Sequence, residues 1–347
     1  MELLIYDASL MRKGVVENHS SLIWRRKYYE PGEFELHVPL TSNNINLLTK
    51  GSIISKKGSK EVGIVESIQY VEGSETCTMI VTGRFMASYL SRRLIKSTFS
   101  FNGKVEDAMR ELVNYVTPIP LLELGKINNF NETVTFQATM KELLTIIVKL
   151  SKSSGIGFRL IPDFSSKKII FETYKGVDRS FAQRGNPRVV FSANYNNLNQ
   201  VTYSWNNQLE KTFAVVGGEG EGSERVYVEI GGGEGLDLKE VFVDAKDIRS
   251  DKFDTNEEYL DALKQRGYDS LIKKQISESI EYETLPNGNF KYKVDYDLGD
   301  IVTIKKSEWG INDHVRITEI EEIYENGGMT VVPTLGNALP DTVDWSD

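Results

Sequence analysis

Few side chains in this 347-residue sequence could carry out chemistry by themselves. It has one cysteine, Cys77, and three histidines, His19, His37 and His314, in separate parts of the chain. A single cysteine excludes a disulfide within the chain, and a zinc site built from Cys and His ligands is not expected. We expect Cys77 to be a small buried hydrophobe, His37 to lie on the polar face of a strand, and His19 and His314 to lie in turns. Neither Gly-x-Ser-x-Gly nor His-Glu-x-x-His occurs, so both of these hydrolase motifs are absent.

Three aspartates, Asp295, Asp297 and Asp300, come nearest to a metal site, because calcium prefers carboxylate oxygens. The EF-hand pattern is not met, since Gly299 is fifth rather than sixth from Asp295 and no glutamate stands at position twelve. Alternation places Asp295 and Asp297 on the solvent face of a strand that ends in a turn. We therefore interpret the three as a structural turn. We predict no catalytic, cofactor-binding or metal-binding residue and no cofactor.

Glycine is concentrated in two segments, 217–223 and 231–235. A phosphate-binding loop places such glycines between a strand and the N-terminus of a helix, where backbone N–H groups meet the phosphate. Here a strand-like segment, 225–230, follows the first cluster, and the carboxylates of Glu219 and Glu221 would repel phosphate. The sequence predicts a flexible hairpin loop that becomes ordered in an assembly.

Basic residues cluster at 24–27 and at 92–96. A nucleic-acid site would combine such clusters with nearby aromatic residues. The whole chain is acidic, however, with 41 Lys and Arg against 50 Asp and Glu and a net charge of −9. This balance favours solvated strand faces or ion pairs between subunits over a nucleic-acid site.

The elements that position these residues are mainly strands, because apolar residues recur with a period of two. A hairpin is predicted over residues 20–39, around Glu30-Pro31-Gly32, and a second one has arms at 62–71 and 76–82. Further strands are predicted at 189–191, 201–205, 212–216, 225–230, 290–296, 300–305, 315–324 and 329–333. A helix over 255–275 begins at a capping box formed by Thr255 and Glu258.

The central block, residues 98–175, has a different pattern. Helical spacing of apolar residues predicts a helix over 104–116. A second helix is predicted to start at Thr139, with Thr139 and Glu142 as a capping box, and to end at Gly155. A hairpin over 157–174 follows. Helices therefore interrupt a chain rich in strands, and the predicted class is α+β with β dominant.

Composition and length set the class of protein. The sequence is 40% hydrophobic and 26% charged, which is typical of a globular chain and excludes low-complexity disorder. Its length predicts two to three domains. Glu2 and Asp7 interrupt the short apolar run at the N-terminus, so no signal peptide is predicted, and no apolar stretch has the ~20 residues of a membrane span.

Four short blocks follow one another in the order found in the siphophage tail-hub family of Gp37-like tail proteins, and together the chain resembles that family over nearly its whole length. The first block, within residues 20–40, has Trp24, Tyr28-Tyr29-Glu30-Pro31-Gly32-Glu33-Phe34-Glu35-Leu36 and Pro39. The second has Gly63-Ile64-Val65-Glu66 with Val81-Thr82-Gly83-Arg84 and Leu90-Ser91-Arg92-Arg93, and the third has Phe191-Ser192 and Asn196-Asn197-Leu198 with 215–222 and Arg225. The fourth has Asp297-Leu298-Gly299-Asp300-Ile301-Val302 with Arg316-Ile317-Thr318-Glu319-Ile320 and Pro333-Thr334-Leu335-Gly336.

The family is similar to the central baseplate hub of contractile-tailed phages. The resemblance implies a structural, non-enzymatic virion protein with two tail-tube-like β-barrel domains and an inserted small α/β domain. On this basis the first tube-like domain covers residues 1–97 with part of 176–235, the inserted domain covers 98–175, and the second tube-like domain covers 236–347.

The resemblance also implies a homotrimeric ring at the distal end of the tail tube, which adapts a sixfold tube to a threefold tip and gates DNA passage. The expected partners are other copies, the distal tail protein or tail tube, the tape-measure protein, and tail-tip or fibre proteins. An acidic lumen would repel DNA, so neither specific nucleic-acid binding nor stable membrane insertion is expected. The protein would be made in the bacterial cytoplasm from a phage or prophage gene and would reside in the virion tail tip. Because residues 340–347 follow closely on the last block, no added peptidoglycan-hydrolase domain is expected.

Two other functions remain open at this point. The chain could be a host-receptor or cell-wall-binding module of a tail, with Tyr203, Trp205 and Trp309 as a sugar platform, and glycan binding by the isolated protein would favour it. It could also be a cell-wall hydrolase with a carboxylate site that the 50 acidic residues conceal, which zymography on cell walls would reveal.

Overall fold

The computed structural model describes residues 1–73, 77–192, 197–274, 277–284, 289–325 and 328–336. Asn196 of the third block and the terminal segment 340–347 lie outside these ranges. The strands are β1 (Leu3–Tyr6), β2 (Arg12–Val16), β3 (Ser21–Lys27), β4 (Glu33–Pro39), β5 (Ile53–Lys56), β6 (Val62–Ile64), β7 (Ser67–Glu72), β8 (Cys77–Arg84), β9 (Leu94–Ile95), β10 (Phe99–Lys104), β11 (Leu122–Leu124), β12 (Thr133–Ala138), β13 (Lys141–Glu142), β14 (Gly157–Asp163), β15 (Lys168–Tyr174), β16 (Val190–Ser192), β17 (Leu198–Asn206), β18 (Phe213–Gly217), β19 (Tyr227–Gly231), β20 (Glu240–Asp244), β21 (Ser277–Thr284), β22 (Ile301–Lys306), β23 (Ile311–Glu325) and β24 (Gly328–Gly336). The α-helices are α1 (Ser42–Leu47), α2 (Val105–Tyr115), α3 (Leu143–Ser154) and α4 (Asn256–Lys273). The chain therefore has the predicted α+β class with β dominant.

The largest sheet has ten strands and joins the two ends of the described chain. Its main path is β17-β21-β24-β23-β3-β4-β8-β7, and β22 and β16 branch from β23. The first four strands of this path come from the C-terminal half of the chain and the last four from the N-terminal half. They meet where β23 pairs antiparallel with β3. In the described residues every sheet has an open strand order, so the predicted barrels stay a prediction.

Alternation decides which face of this sheet is buried. Leu22 and Trp24 of β3 and Leu36 and Val38 of β4 are fully buried. The residues between them face the opposite side of the sheet and are half-buried. β3 and β4 pair antiparallel, which confirms the predicted hairpin over residues 20–39 and its two faces.

A four-stranded sheet, β2-β1-β5-β6, lies between the large sheet and the central block. Successive residues of β5 point in opposite directions, as the pleat requires. Ile54 packs in one apolar core with Trp24 of the large sheet. Ile53 packs in another core with Leu112 of α2 and Ile147 of α3. The small sheet thus joins the two neighbouring layers through its two faces.

A separate unit consists of the three-stranded sheet β19-β18-β20 with α4 packed on one side. Gly267 lets the helix approach closely, because a Cβ at this position would lie 2.5 Å from Ile230 Cδ1 and 2.7 Å from Val216 Cγ2. The predicted domain boundary between residues 235 and 236 falls inside this unit, between β19 and β20.

The beginning of α3 differs from the predicted capping box at Thr139 and Glu142. The helix begins at Leu143, because the two residues before it form β13 and pair with β9. The Thr139 hydroxyl donates to Thr98 Oγ1 at 2.9 Å instead of accepting from a helix N–H group. A strand pair formed with a distant segment has overridden a local helix signal.

The other helix predictions are confirmed. α2 occupies the segment predicted over 104–116. α3 ends at Gly155, which has the left-handed φ of 72° that a glycine C-cap provides. Thr255 caps α4 by accepting from the Glu258 N–H group at 3.2 Å. The Glu258 carboxylate accepts from Asp254 N at 3.1 Å, one residue before the position that the capping box predicts.

Two strand predictions are wrong in extent or type. The predicted arm at 62–71 is divided between β6 and β7, which belong to different sheets. The segment 290–296 is a turn, because Lys291 N donates to Asp295 Oδ2 at 2.7 Å and Lys293 takes a left-handed φ of 65°. The period-two aromatic residues of that segment pack into the core from a turn.

Candidate assembly face

One face of the large sheet points away from the core and carries seven charged residues of β3, β4 and β23. These residues alternate with buried ones along each strand. The charged set is the cations Arg25 and Lys27 with the carboxylates Glu33, Glu35, Glu319, Glu321 and Glu325. Five carboxylates against two cations leave an excess of three negative charges. This surface is termed the acidic sheet face.

Arg25 is the centre of the acidic sheet face. Its Nη1 is 2.5 Å from Glu33 Oε1 on β4, and its Nε is 3.0 Å from Glu319 Oε1 and 2.8 Å from Glu321 Oε2 on β23. Burial raises the pKa of Glu319 to about 7, and the Glu33 and Glu321 carboxylates add to this rise against the opposing charges of Lys27 and Arg25. The charge of this face therefore changes near neutral pH.

A buried ion pair lies on the opposite side of the same strands. Lys56 of β5 and Glu322 of β23 have 1% and 0% of their side chains exposed, and the ammonium donates to Glu322 Oε2. Tyr292 OH also donates to this carboxylate at 2.8 Å, and Lys293 Nζ lies 3.2 Å from it. Burial alone would raise the pKa of Glu322, but Lys56 and Lys293 hold it at about 2. The pair ties the small sheet to the large one.

Arg26 extends this buried network. Its Nε is 3.3 Å from Glu61 Oε2, and its Nη1 donates to Tyr292 OH at 2.7 Å and to Asp297 Oδ1 at 2.6 Å. Burial opposes its charge, yet Tyr292, Asp297 and Glu61 raise the pKa of Arg26 well above its ordinary value. The basic cluster at 24–27 therefore makes ion pairs within the chain, where solvated faces or contacts between subunits were predicted.

Within the described residues, the main path of the large sheet ends in β7 and β17, and both of these edge strands carry exposed aromatic residues. Tyr70 of β7 is 56% exposed and lies opposite buried Met79, on the core side of the sheet. Trp205 of β17 is 52% exposed. Tyr203, two residues before it, is in register with buried Leu335 through β21. Both edges thus present aromatic rings on the same side of the sheet.

The aspartates singled out in the sequence are held by donors within the protein. Asp297 accepts from the Leu298 N–H group at 2.7 Å. Asp300 accepts from Val177 N at 2.7 Å and from Arg179 Nε at 2.8 Å. Together with Asp295 they shape the turn that precedes β22. Among the residues that the structure describes, no group of three His, Cys, Asp or Glu side chains is arranged to hold a metal ion.

The histidines lie apart from one another. His37 is on the polar side of β4, as predicted, with Nε2 2.7 Å from Glu35 Oε1. His19 lies in the irregular segment before β3, and His314 lies in β23, where a turn was predicted. The turn prediction is wrong because β23 already begins at Ile311, which brings His314 Nδ1 to 2.9 Å from Thr303 Oγ1 on β22.

Cys77 is exposed, so the prediction of a buried thiol is wrong. Its strand alternates as expected, since Met79 and Val81 are fully buried. Cys77 is the first residue of β8 and lies opposite exposed Glu72, at the end of the hairpin where β7 is connected to β8 and where the core no longer covers the strand.

The glycine-rich segment 217–223 belongs to the hairpin between β18 and β19, as predicted. Sequence reasoning missed the role of Arg225 at the end of this hairpin. The guanidinium lies on Gly217, where a Cβ would be 2.7 Å from Arg225 Cζ, and donates to the Gly217 carbonyl at 2.7 Å. The sequence did contain a signal for this contact, because Gly217 precedes Arg225 by eight residues and the two lie on opposite sides of one hairpin.

Family and fold comparisons agree with this architecture. A family model described as Siphovirus ReqiPepy6 Gp37-like protein matches residues 2–337. The chain belongs to this family. No curated protein sequence matches this Gp37-like protein.

Three solved tail proteins have a similar fold. The 43 kDa tail protein of prophage MuSo2 from Shewanella oneidensis is 12% identical, with a TM-score of 0.62 over 97% of the Gp37-like protein and 98% of that chain. The tail protein from Neisseria meningitidis MC58 is 13% identical, with a TM-score of 0.61 over 96% of each chain. Prophage tail protein gp18 from Listeria monocytogenes EGD-e is 13% identical, with a TM-score of 0.56 over 97% of the Gp37-like protein and 95% of that chain. The Gp37-like protein thus has the fold of phage tail proteins along nearly its entire length.

The helices of the Gp37-like protein are short or strongly charged. Within the described ranges, none has both the length and the apolar character needed to cross a lipid bilayer. The three residues of the predicted sugar platform lie in different parts of the large sheet. Trp309 lies between β22 and β23, whereas Tyr203 and Trp205 lie on β17 at the edge of the sheet.

Proposed function

We propose that this Gp37-like protein is a structural, non-enzymatic part of a phage tail that forms a homotrimeric ring at the distal end of the tail tube. The observation that carries the proposal is the main path of the large sheet, which joins four C-terminal strands to four N-terminal strands. Three copies would place six four-stranded units side by side. Such a ring would match a sixfold tube on one side and a threefold tip on the other.

Ring closure would use the two edge strands. An exposed edge strand offers unpaired N–H and C=O groups to another chain, and native proteins usually cover it. If β7 of one copy pairs with β17 of the next, Tyr70 and Trp205 lie on the same side of the continuous sheet, where cross-strand aromatic contact would stabilise the pair. The β-barrel predicted from the sequence is, in this proposal, completed between copies.

The acidic sheet face would line the channel of this ring. Its excess of carboxylates over cations in each copy would repel nucleic-acid phosphates, so DNA could pass without binding. The ring would gate that passage until infection. Its neighbours would be the distal tail protein or tail tube, the tape-measure protein, and tail-tip or fibre proteins of the virion.

We further propose a division into tube-like units and insertions that follows the sheet. β3, β4, β7 and β8 belong to the first tube-like unit within residues 1–97, and the block 98–175 is inserted after it. β21, β23 and β24 belong to the second unit within 236–347, together with β17, which pairs with β21. The α4 unit around residue 235 would be a second insertion.

Mass in solution tests the proposal. The chain has a mass of 39.3 kDa, so a trimer has about 118 kDa. Tyr70→Asp places a charge on edge strand β7 and is expected to shift the protein to monomer. Tyr268→Asp is the matched control, since Tyr268 is also half-exposed but lies on α4. A wild-type protein that is monomeric at all concentrations and absent from purified tails would overturn the proposal.

A further inference from the structure

A second uncovered surface lies on the three-stranded sheet β19-β18-β20. One side of this sheet packs against α4 through buried residues such as Val216. The other side exposes Phe242 and Tyr227, which are 55% and 51% exposed, beside half-buried Phe213 and Val215. This side is termed the outer face. Clustered exposed aromatic residues usually mark an interaction surface.

Arg225 holds the aromatic rings of the outer face in place. Its guanidinium carbon lies 5.3 Å from the centre of the Phe242 ring and 5.7 Å from that of Tyr227. The same group donates to the Gly217 carbonyl at 2.7 Å and to Asp244 Oδ1 at 2.5 Å, and only 11% of its side chain is exposed. Rings fixed in this way lose little conformational entropy on binding.

Carboxylates surround the outer face. On β19, exposed Glu229 lies opposite Val215 of β18. On β20, which pairs with the other edge of β18, exposed Glu240 lies opposite Phe213. Together with Asp244 they outnumber Arg225 by two charges. A partner that fits this face must bring apolar side chains flanked by cations.

The chain itself carries such a surface on the short strand pair β9–β13. Leu94 is 50% exposed and Met140 is 68% exposed. Exposed Arg92 lies two residues before Leu94 and exposed Lys96 two residues after it. In the strand pair Leu94 lies opposite Glu142, and the Met140 N–H group donates to the Ile95 carbonyl at 2.7 Å. This surface is termed the basic corner. It contains the basic cluster at 92–96, which is not part of the acidic sheet face.

The outer face cannot reach the basic corner of its own copy. α4 packs against β12 of the central block, and Glu258 of α4 accepts from Asn102 Nδ2 on β10 at 3.1 Å. The helix therefore lies between the three-stranded sheet and the block that carries the corner. The outer face, on the far side of that sheet, points away from both.

We infer that the outer face of one copy binds the basic corner of the next copy in the ring. The inference rests on the self-association proposed above and adds a second contact to it. Leu94 and Met140 would pack on Phe242 and Tyr227, while the cations at 92 and 96 would approach the carboxylates at the rim. A head-to-tail contact of this kind joins two different surfaces, as ring closure requires.

Disulfide trapping tests the contact directly. In a Cys77→Ser background the chain has no other cysteine, so Phe242→Cys combined with Met140→Cys is expected to give covalent dimers and trimers on mild oxidation. Phe242→Cys combined with Met11→Cys is the control, because Met11 is also half-exposed but lies in the β1–β2 turn. Crosslinking no stronger than that of the control, in a protein that still forms trimers, would overturn this inference and leave the ring proposal standing.

Charge reversal gives a second measurement. Glu229→Lys with Glu240→Lys, or Arg92→Glu with Lys96→Glu, is expected to weaken self-association at least tenfold. Combining all four changes is expected to restore it to within about threefold of the wild type. Reversals that leave self-association unchanged would contradict the inference, and a wild-type protein that is always monomeric would overturn both proposals.

Discussion

Glu319 makes the stability of this protein depend on pH in a direction that can be worked out. Its folded pKa is about 7, against an ordinary value of 4.5, because burial beside other carboxylates disfavours its charge. Between these values the unfolded carboxyl group is ionised, whereas the folded one keeps its proton. Unfolding then releases a proton, so the free energy of unfolding falls as the pH rises from about 4.5 to 7.

The size of this effect follows from the pKa shift. A rise from 4.5 to about 7 corresponds to roughly 3 kcal/mol, at 1.36 kcal/mol for each pKa unit. The Glu319 side chain is 19% exposed, and solvent screening reduces the figure to about 2 kcal/mol. Glu319→Gln removes the ionisation but keeps an oxygen that can accept from Arg25 Nε.

Urea denaturation followed by tryptophan fluorescence provides the assay. Glu319→Gln is expected to match the wild type within about 0.5 kcal/mol at pH 5 and to exceed it by about 2 kcal/mol at pH 8. Glu325→Gln, at the exposed end of the same strand, serves as control and should change stability by less than about 0.5 kcal/mol at both pH values. If Glu319→Gln is less stable than the wild type at pH 8, the ion pair with Arg25 outweighs burial, and the reasoning is refuted.

Two further substitutions test the core in the same assay. Lys56→Met should lower the free energy of unfolding by about 3 kcal/mol, because it leaves the buried Glu322 carboxylate without its ammonium, and adding Glu322→Gln should recover at least about 1 kcal/mol of this loss. Gly267→Leu should cost about 2 kcal/mol, since the new side chain would overlap Ile230, whereas Lys264→Leu on the exposed side of the same helix should cost less than about 0.5 kcal/mol.

Local patterns in the sequence were sufficient for elements whose neighbours in the chain decide their structure. The period-two alternation of residues 20–39 is enough to define β3, β4 and their faces. The helical spacing over 104–116 is enough to define α2, and the glycine at 155 is enough to end α3. In each case one amphipathic segment carries both the element and the side that it buries.

Features that depend on distant segments could not be read in this way. The pairing of β13 with β9 joins segments about forty-five residues apart and delays the start of α3. The ion pair between Lys56 and Glu322 joins residues 266 positions apart. A partial signal existed, because Glu322 falls on the buried phase of an alternating strand, where a carboxylate requires a partner. The identity of that partner follows only from the packing of the two sheets.

The two contacts proposed between copies constrain each other. In a three-membered ring a single rotation relates each copy to the next, so the rotation that brings β7 to β17 must also bring the basic corner to the outer face. Tyr70 and Trp205 report on the first contact, and Met140 and Phe242 report on the second. Two contacts that require different rotations could not both exist in one closed ring. A neighbour trapped through residues 140 and 242 must therefore also pair through its edge strands. If Tyr70→Asp lowers the yield of the disulfide between residues 140 and 242, both contacts join the same two copies.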